Sequence, residues 1–195
     1  DPRTKFKIQQ FFHHWLEIEE RDMSKDKDLY PEFDELVVSD LRHSLEMFID
    51  QVVWSESSDY RQLLLADDLY LNDRLAALYA PEKPKSESKN PPQQFRSVSF
   101  SKQRAGILTH PFLLSAFAYH DTTSPIHRGV FLTRNVIGRG LKPPPKAVAF
   151  KNEEFPDDLS MREKITLLTR DAACMTCHSI INPLGFALEN FDAVG

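Results

Sequence analysis

Glycine is scarce in this 195-residue chain, with six residues against 14 Phe and 13 Pro. That excludes a glycine-rich barrel and the glycine-dependent phosphate turn of a dinucleotide-binding fold, and points to helices joined by proline-stiffened loops. Basic residues are not in excess: 24 Lys and Arg face 29 Asp and Glu, a formal charge of −5, so the attraction that drives nucleic-acid binding is missing. No apolar run approaches the roughly 20 residues that span a bilayer. The opening Asp1-Pro2-Arg3-Thr4-Lys5 has neither the n-region nor the h-region of a secretion signal, so targeting information is expected outside this stretch. No Gly-rich phosphate loop, nucleophile elbow or metalloprotease helix occurs. What is present, 41% hydrophobic and 27% charged residues, fits one or two globular domains with a real core and excludes collagen-like, low-complexity and wholly disordered classes. Cysteine is limited to two residues, whose positions matter more than their number.

Periodicity predicts helices through most of the chain. Phe6, Ile8, Phe11, Phe12, Trp15, Leu16 and Ile18 fall at mostly helical spacings. A second, longer helix is expected from Pro31 as a first-turn residue, with Phe33, Leu36, Val37, Leu41, Leu45, Phe48 and Val52 on one face. Asp59 is placed to cap a short helix through Leu64, and Leu71, Leu75 and Leu78 read as another with Asn72 or Asp73 near its start. Further on, Pro111 opens an apolar helix, Thr123-Ser124-Pro125 caps one that Gly138 and Gly140 stop, and Ser160 with Glu163 forms a capping box for a helix through Leu168. A short strand pair is allowed near Phe95 to Phe100 or Ala147 to Phe150.

The expected fold class is therefore all-α, in three parts. Residues 1–80 form a helical bundle, and 81–94, with four Pro and no large apolar residue, a linker or loop. Residues 95–195 form a helical part with proline-rich loops, including Pro143-Pro144-Pro145.

Cys174-Met175-Thr176-Cys177-His178 is the C-x-x-C-H attachment sequence of c-type haem. On a helix, residues i and i+3 share a face, so both thiols can form thioethers with the two haem vinyl groups while the next imidazole reaches the iron as proximal ligand. A redox C-x-x-C disulfide would use the same cysteines but belongs in a βαβ setting that this sequence does not show. A zinc site would need about four ligands, and no second C-x-x-C or H-x₃₋₅-H pair exists to complete one. Downstream, a backbone carbonyl of the Asn182-Pro183-Leu184 turn is expected to accept the other ring N–H of His178. Ile180, Leu184, Phe186 and Leu188 are expected to wall the haem edge, with Pro183 in the binding set.

The runs Arg104-Ala105-Gly106-Ile107-Leu108-Thr109, Thr123-Ser124-Pro125-Ile126-His127-Arg128-Gly129, Cys174 to His178 and Asn182-Pro183-Leu184-Gly185-Phe186-Ala187-Leu188-Glu189-Asn190-Phe191-Asp192 resemble the planctomycete-specific cytochrome-associated domains of unknown function. Tyr30-Pro31-Glu32-Phe33 and Leu71-Asn72-Asp73-Arg74-Leu75-Ala76 resemble the domain that precedes them in the same large exported proteins. The final stretch is also similar to segments of di-haem peroxidase-like cytochromes. This resemblance implies a cytochrome c-like, extracytoplasmic, haem-bearing module cut from a longer polypeptide. Its expected partners are a redox protein or other haem domains of that polypeptide.

One covalent haem c per chain is expected, with His178 as proximal iron ligand. No methionine follows His178 in this sequence, so the sixth ligand is expected from upstream, from another chain, from water, or not at all. His110 and His120 lead the upstream set, followed by His127 and Met161; His13, His14 and His43 lie on the separate bundle. Arg104 and Arg128 are candidates for pairing with haem propionates. A six-coordinate iron would carry electrons, whereas an open sixth position would suit a peroxidase-type enzyme. A third reading is a partner-binding scaffold in which the haem is secondary.

Overall fold

Asp1 starts the first helix. Its carboxylate accepts from the Arg3 N–H at 2.9 Å, and Pro2 fills the first turn, where its missing N–H costs nothing. Helix α1 is Pro2–Trp15. The computed structural model describes residues 1–19, 21–80, 94–100, 104–143 and 149–195. They divide into two compact units, Asp1–Ala116 with Val194 and Gly195, and Phe117–Ala193.

In the first unit, α2 is Glu35–Val53. It begins four residues later than Pro31 suggests, because Asp34 is the true cap: its carboxylate accepts from the Val37 N–H at 2.8 Å. Val37, Leu41, Leu45, Phe48, Ile49 and Val52 bury one stripe of α2, as the periodicity requires. After the short α3 (Gln62–Leu65) comes a strand, β1 (Asp68–Leu71), and then α4 (Asp73–Tyr79), capped by Asn72. Strand β2 (Arg96–Ser99) pairs antiparallel with β1, Leu69 opposite Val98 and Leu71 opposite Arg96. The fold is mostly helical rather than all-α. Leu69 and Leu71 alternate into the core, which a strand achieves with period two. Helix α5 (Pro111–Ala116) is buried throughout and packs on α2.

The described residues between Phe95 and Ala116 thus pack with the first half, and the units divide at 116/117 rather than at the compositional break. Apart from Gln94, the expected linker at 81–94 lies outside the described residues, as do Pro144, Pro145 and part of the alternative strand 147–150.

The second unit holds α6 (Pro125–Phe131), α7 (Met161–Leu168) and α8 (Ala172–Phe186). Ser124 caps α6, and Ser160 and Glu163 make the expected reciprocal capping box on α7. Helix α6 runs on as a π-helical turn over Leu132–Val136 that packs against α8.

Two glycines let α6 and α8 touch backbone to backbone. A Cβ on Gly129 would sit 2.1 Å from the Ile181 carbonyl oxygen, and one on Gly185 would sit 1.9 Å from that of Pro125. Neither oxygen can move without its helix. Gly185→Ala is expected to cost about 1–3 kcal/mol or more by forcing the helices apart, measured as a lowered thermal midpoint. An unchanged midpoint would show that the crossing is looser than this geometry.

Candidate functional site

At about 100° of turn per residue, Cys174, Cys177, His178, Ile181 and Gly185 fall on one stripe of α8. Its C-terminal half, Ile181 and Gly185, is buried, with Gly129 and Pro125 of α6 against their backbones. Its N-terminal half is only half-buried and presents both thiols, neither in a disulfide, and the imidazole. Met175, about 100° round the helix from Cys174, lies off this stripe and is exposed. The packed stripe therefore continues into a half-buried one that carries both thiols and the imidazole.

Helix α8 does not stop at the predicted turn. Pro183 lies inside it, and the i−4 residue, whose carbonyl loses a helical donor, is the exposed Ser179, where water can substitute. The Pro183 carbonyl is taken up by the Ala187 N–H at 3.2 Å. The backbone carbonyl expected to meet His178 is replaced by a side chain: Nδ1 lies 2.8 Å from Oδ1 of Asn182, one helical turn on. Asn182 is buried, and its Nδ2 donates to Thr169 Oγ1 at 2.8 Å. Thr169, just past the end of α7 and also buried, donates its hydroxyl to the Ile165 carbonyl at 2.8 Å. Sequence reasoning missed Asn182 and Thr169 as side-chain partners. The i+4 spacing of Asn182 from His178 was the available signal, whereas nothing in the sequence links Thr169 to them.

The expected wall residues are placed unevenly. Ile180, Leu184, Phe186 and Leu188 are half-buried and Pro183 is exposed. Phe186 is already covered, by the Arg162 guanidinium 4.9 Å above its ring.

Of the upstream ligand candidates, His110 belongs to the first unit and has both ring nitrogens in use. Nδ1 accepts from the Phe112 N–H, and Nε2 lies against Ser44 Oγ, each at 3.2 Å. Burial, reinforced by the nearby Arg104 charge, pushes its pKa down to about 3. Ligation by His110 would require dismantling this arrangement. His120 is exposed, before α6, and His127 is exposed with its ring 5.0 Å from that of Tyr119.

The two arginines considered for propionates are committed elsewhere. Arg104 donates to the Thr109 carbonyl at 2.8 Å and to that of Gly195. Arg128, almost wholly buried, donates to the carbonyls of Leu188, Phe191 and Asp192 at 3.0, 2.9 and 2.6 Å. Among the described residues no group of three or more His, Cys, Asp and Glu side chains is arranged to hold a bare metal ion, and no helix is long and apolar enough to cross a membrane.

Two family models match the chain. Residues 104–195 match PSCyt3, protein of unknown function (DUF1588), and residues 1–80 match PSD4, protein of unknown function (DUF1592). No curated protein and no solved structure matches it.

Proposed function

From these two cytochrome-associated domains we propose that the chain is a c-type monohaem module that carries electrons outside the cytoplasm. Cys174 and Cys177 would hold one haem c by thioethers, and His178 Nε2 would bind its iron. The observation that carries this reading is geometric: two thiols and an imidazole share one half-open stripe of α8, and the imidazole's other nitrogen is already anchored on Asn182. That donor set, two sulfurs and one outward ring nitrogen, suits a porphyrin held at two edges and its centre. When bound, haem c supplies an iron that alternates between ferric and ferrous states.

Electron exchange is favoured over peroxide chemistry by the partner of His178. An amide acceptor lends the imidazole less electron density than a carboxylate would, and strong donation from the proximal side is what promotes O–O cleavage. The extracytoplasmic location follows from the chemistry, since bacteria attach haem covalently outside the cytoplasm. Its electrons would pass to a redox protein or to other haem domains of a longer polypeptide.

The test is a pyridine haemochrome spectrum on denatured protein made in a host competent in cytochrome maturation. One thioether-linked haem per chain is expected, with complete loss in the Cys174→Ser, Cys177→Ser double variant. Intact mass showing bare polypeptide would overturn the proposal. Low-spin bands unmoved by cyanide or carbon monoxide are expected of the electron carrier, whereas high-spin bands that shift would mark a peroxidase-type enzyme.

A further inference from the structure

Hydrogen-bond direction along α7 and α8 determines which nitrogen of His178 is available. The Thr169 hydroxyl has one proton, and it is spent on the Ile165 carbonyl. Toward Asn182 the hydroxyl oxygen can then only accept, so the Asn182 amide turns its NH₂ to Thr169 and its carbonyl oxygen to His178. A carbonyl oxygen cannot donate, so Nδ1 must carry the proton. The opposite orientation would set the Asn182 carbonyl oxygen against the Thr169 oxygen, two acceptors face to face at 2.8 Å. Asn182 and Thr169 are buried, at 7% and 4% exposure, where an unmatched polar contact is costly.

We propose that Thr169 and Asn182 are positioning residues that lock His178 as the Nδ1–H tautomer, making Nε2 the ligating atom before any cofactor arrives and keeping the ligand a neutral imidazole afterwards. The proposal rests on the haem reading for its second half only; the tautomer is a property of this chain alone. A neutral acceptor holds the ligand at moderate basicity, which disfavours the ferric state relative to what a carboxylate at the same place would give.

Two readouts test it. In the full chain without haem, ¹⁵N NMR of the histidine ring should show His178 protonated at Nδ1. Thr169→Val, which removes the directing hydroxyl, should yield a mixture of tautomers, Thr169→Ser should restore the single form, and Asn182→Leu should move the ring to the Nε2–H form. In the haem-loaded protein, Asn182→Asp should shift the ferric/ferrous balance at least tenfold toward ferric, a fall of about 59 mV for one electron, read on the haem-containing fraction. Wild-type His178 protonated at Nε2, or a tautomer indifferent to both Asn182→Leu and Thr169→Val in chains that keep the wild-type circular dichroism, would overturn the lock. An unmoved potential in Asn182→Asp would overturn its electronic role. Absence of thioether haem would instead sink the haem reading and leave the tautomer result standing.

Discussion

Arg128→Met is expected to cost the second unit about 3–5 kcal/mol, the cost of removing one partner from a buried charge network. The Arg128 side chain is 1% exposed, and its guanidinium donates to three consecutive-turn carbonyls, those of Leu188, Phe191 and Asp192, while lying 3.5 Å from Glu189. Burial pushes its pKa down to about 10, against the opposing pull of Glu189 and Asp192, so it stays charged at neutral pH. Glu189 tells the same story from the other side: its pKa is raised by burial despite the hydrogen bond from Thr123 and the nearby arginine charges. Removing the guanidinium would leave three carbonyls without these donors and a part-buried carboxylate without its counter-charge. In thermal denaturation the midpoint of this unit should drop by roughly 10–40 °C. Arg128→Lys should recover little, because one ammonium cannot span the three carbonyls, whereas adding Glu189→Gln to Arg128→Met should return part of the loss by removing the unmatched charge. A midpoint within a degree or two of wild type would show that the segment after α8 is held by something else.

The same arginine shows where sequence reading stops. The proline-opened helix that carries it was legible, and so were the capping box of Ser160 and Glu163 and the cap of Ser124, because each signal is complete within four residues. What Arg128 donates to lies 60 or more residues away, and surface arginine and buried clamp look alike in a sequence. Strand β1 failed for a related reason. Asp68-Leu69-Tyr70-Leu71 is too short to distinguish period two from a helical turn, and its partner comes 25 or more residues later. The start of α2 was misplaced because Pro31 and Asp34 both mark helix entries and only the side-chain hydrogen bond of Asp34 decides between them.

In the candidate site, the spacing of Cys174, Cys177 and His178 was fully legible, since i, i+3 and i+4 share a face on any helix. The partner of His178 was placed in the right tripeptide and on the wrong atom. Proline usually ends a helix, so Asn182-Pro183-Leu184 read as a turn offering a carbonyl. Yet α8 continues through Pro183, because the carbonyl deprived of a donor is that of an exposed serine. Once the helix continues, its own ladder engages the Pro183 carbonyl, and the Asn182 side chain falls beside the imidazole instead. Helix continuity, a tertiary outcome, thus changes the chemistry of the imidazole's support.

Acid should unfold the first unit through His110, and the direction follows from its surroundings. Its unfolded pKa is near 6.5 and its folded pKa about 3, lowered first by burial and then by Arg104. Between those values the unfolded state binds one proton more than the folded state. Stability is therefore fully present above pH 6.5 and declines by about 1.4 kcal/mol per pH unit on the way down to pH 3, on the order of 4 kcal/mol in all. The geometry gives the reason for so low a value. Nδ1 accepts from the Phe112 N–H at 3.2 Å, and protonation would set two donors against each other at the entrance to α5, beside the buried Ser44 hydroxyl. His110→Asn should keep an acceptor for the Phe112 N–H without a titrating ring. It should lower stability at pH 7 by about 1–3 kcal/mol through the lost Ser44 contact and packing, yet flatten the fall between pH 6.5 and 3. Urea denaturation of both proteins across that range decides the matter. If the two curves run parallel, the carboxylates carry the acid sensitivity and His110 does not.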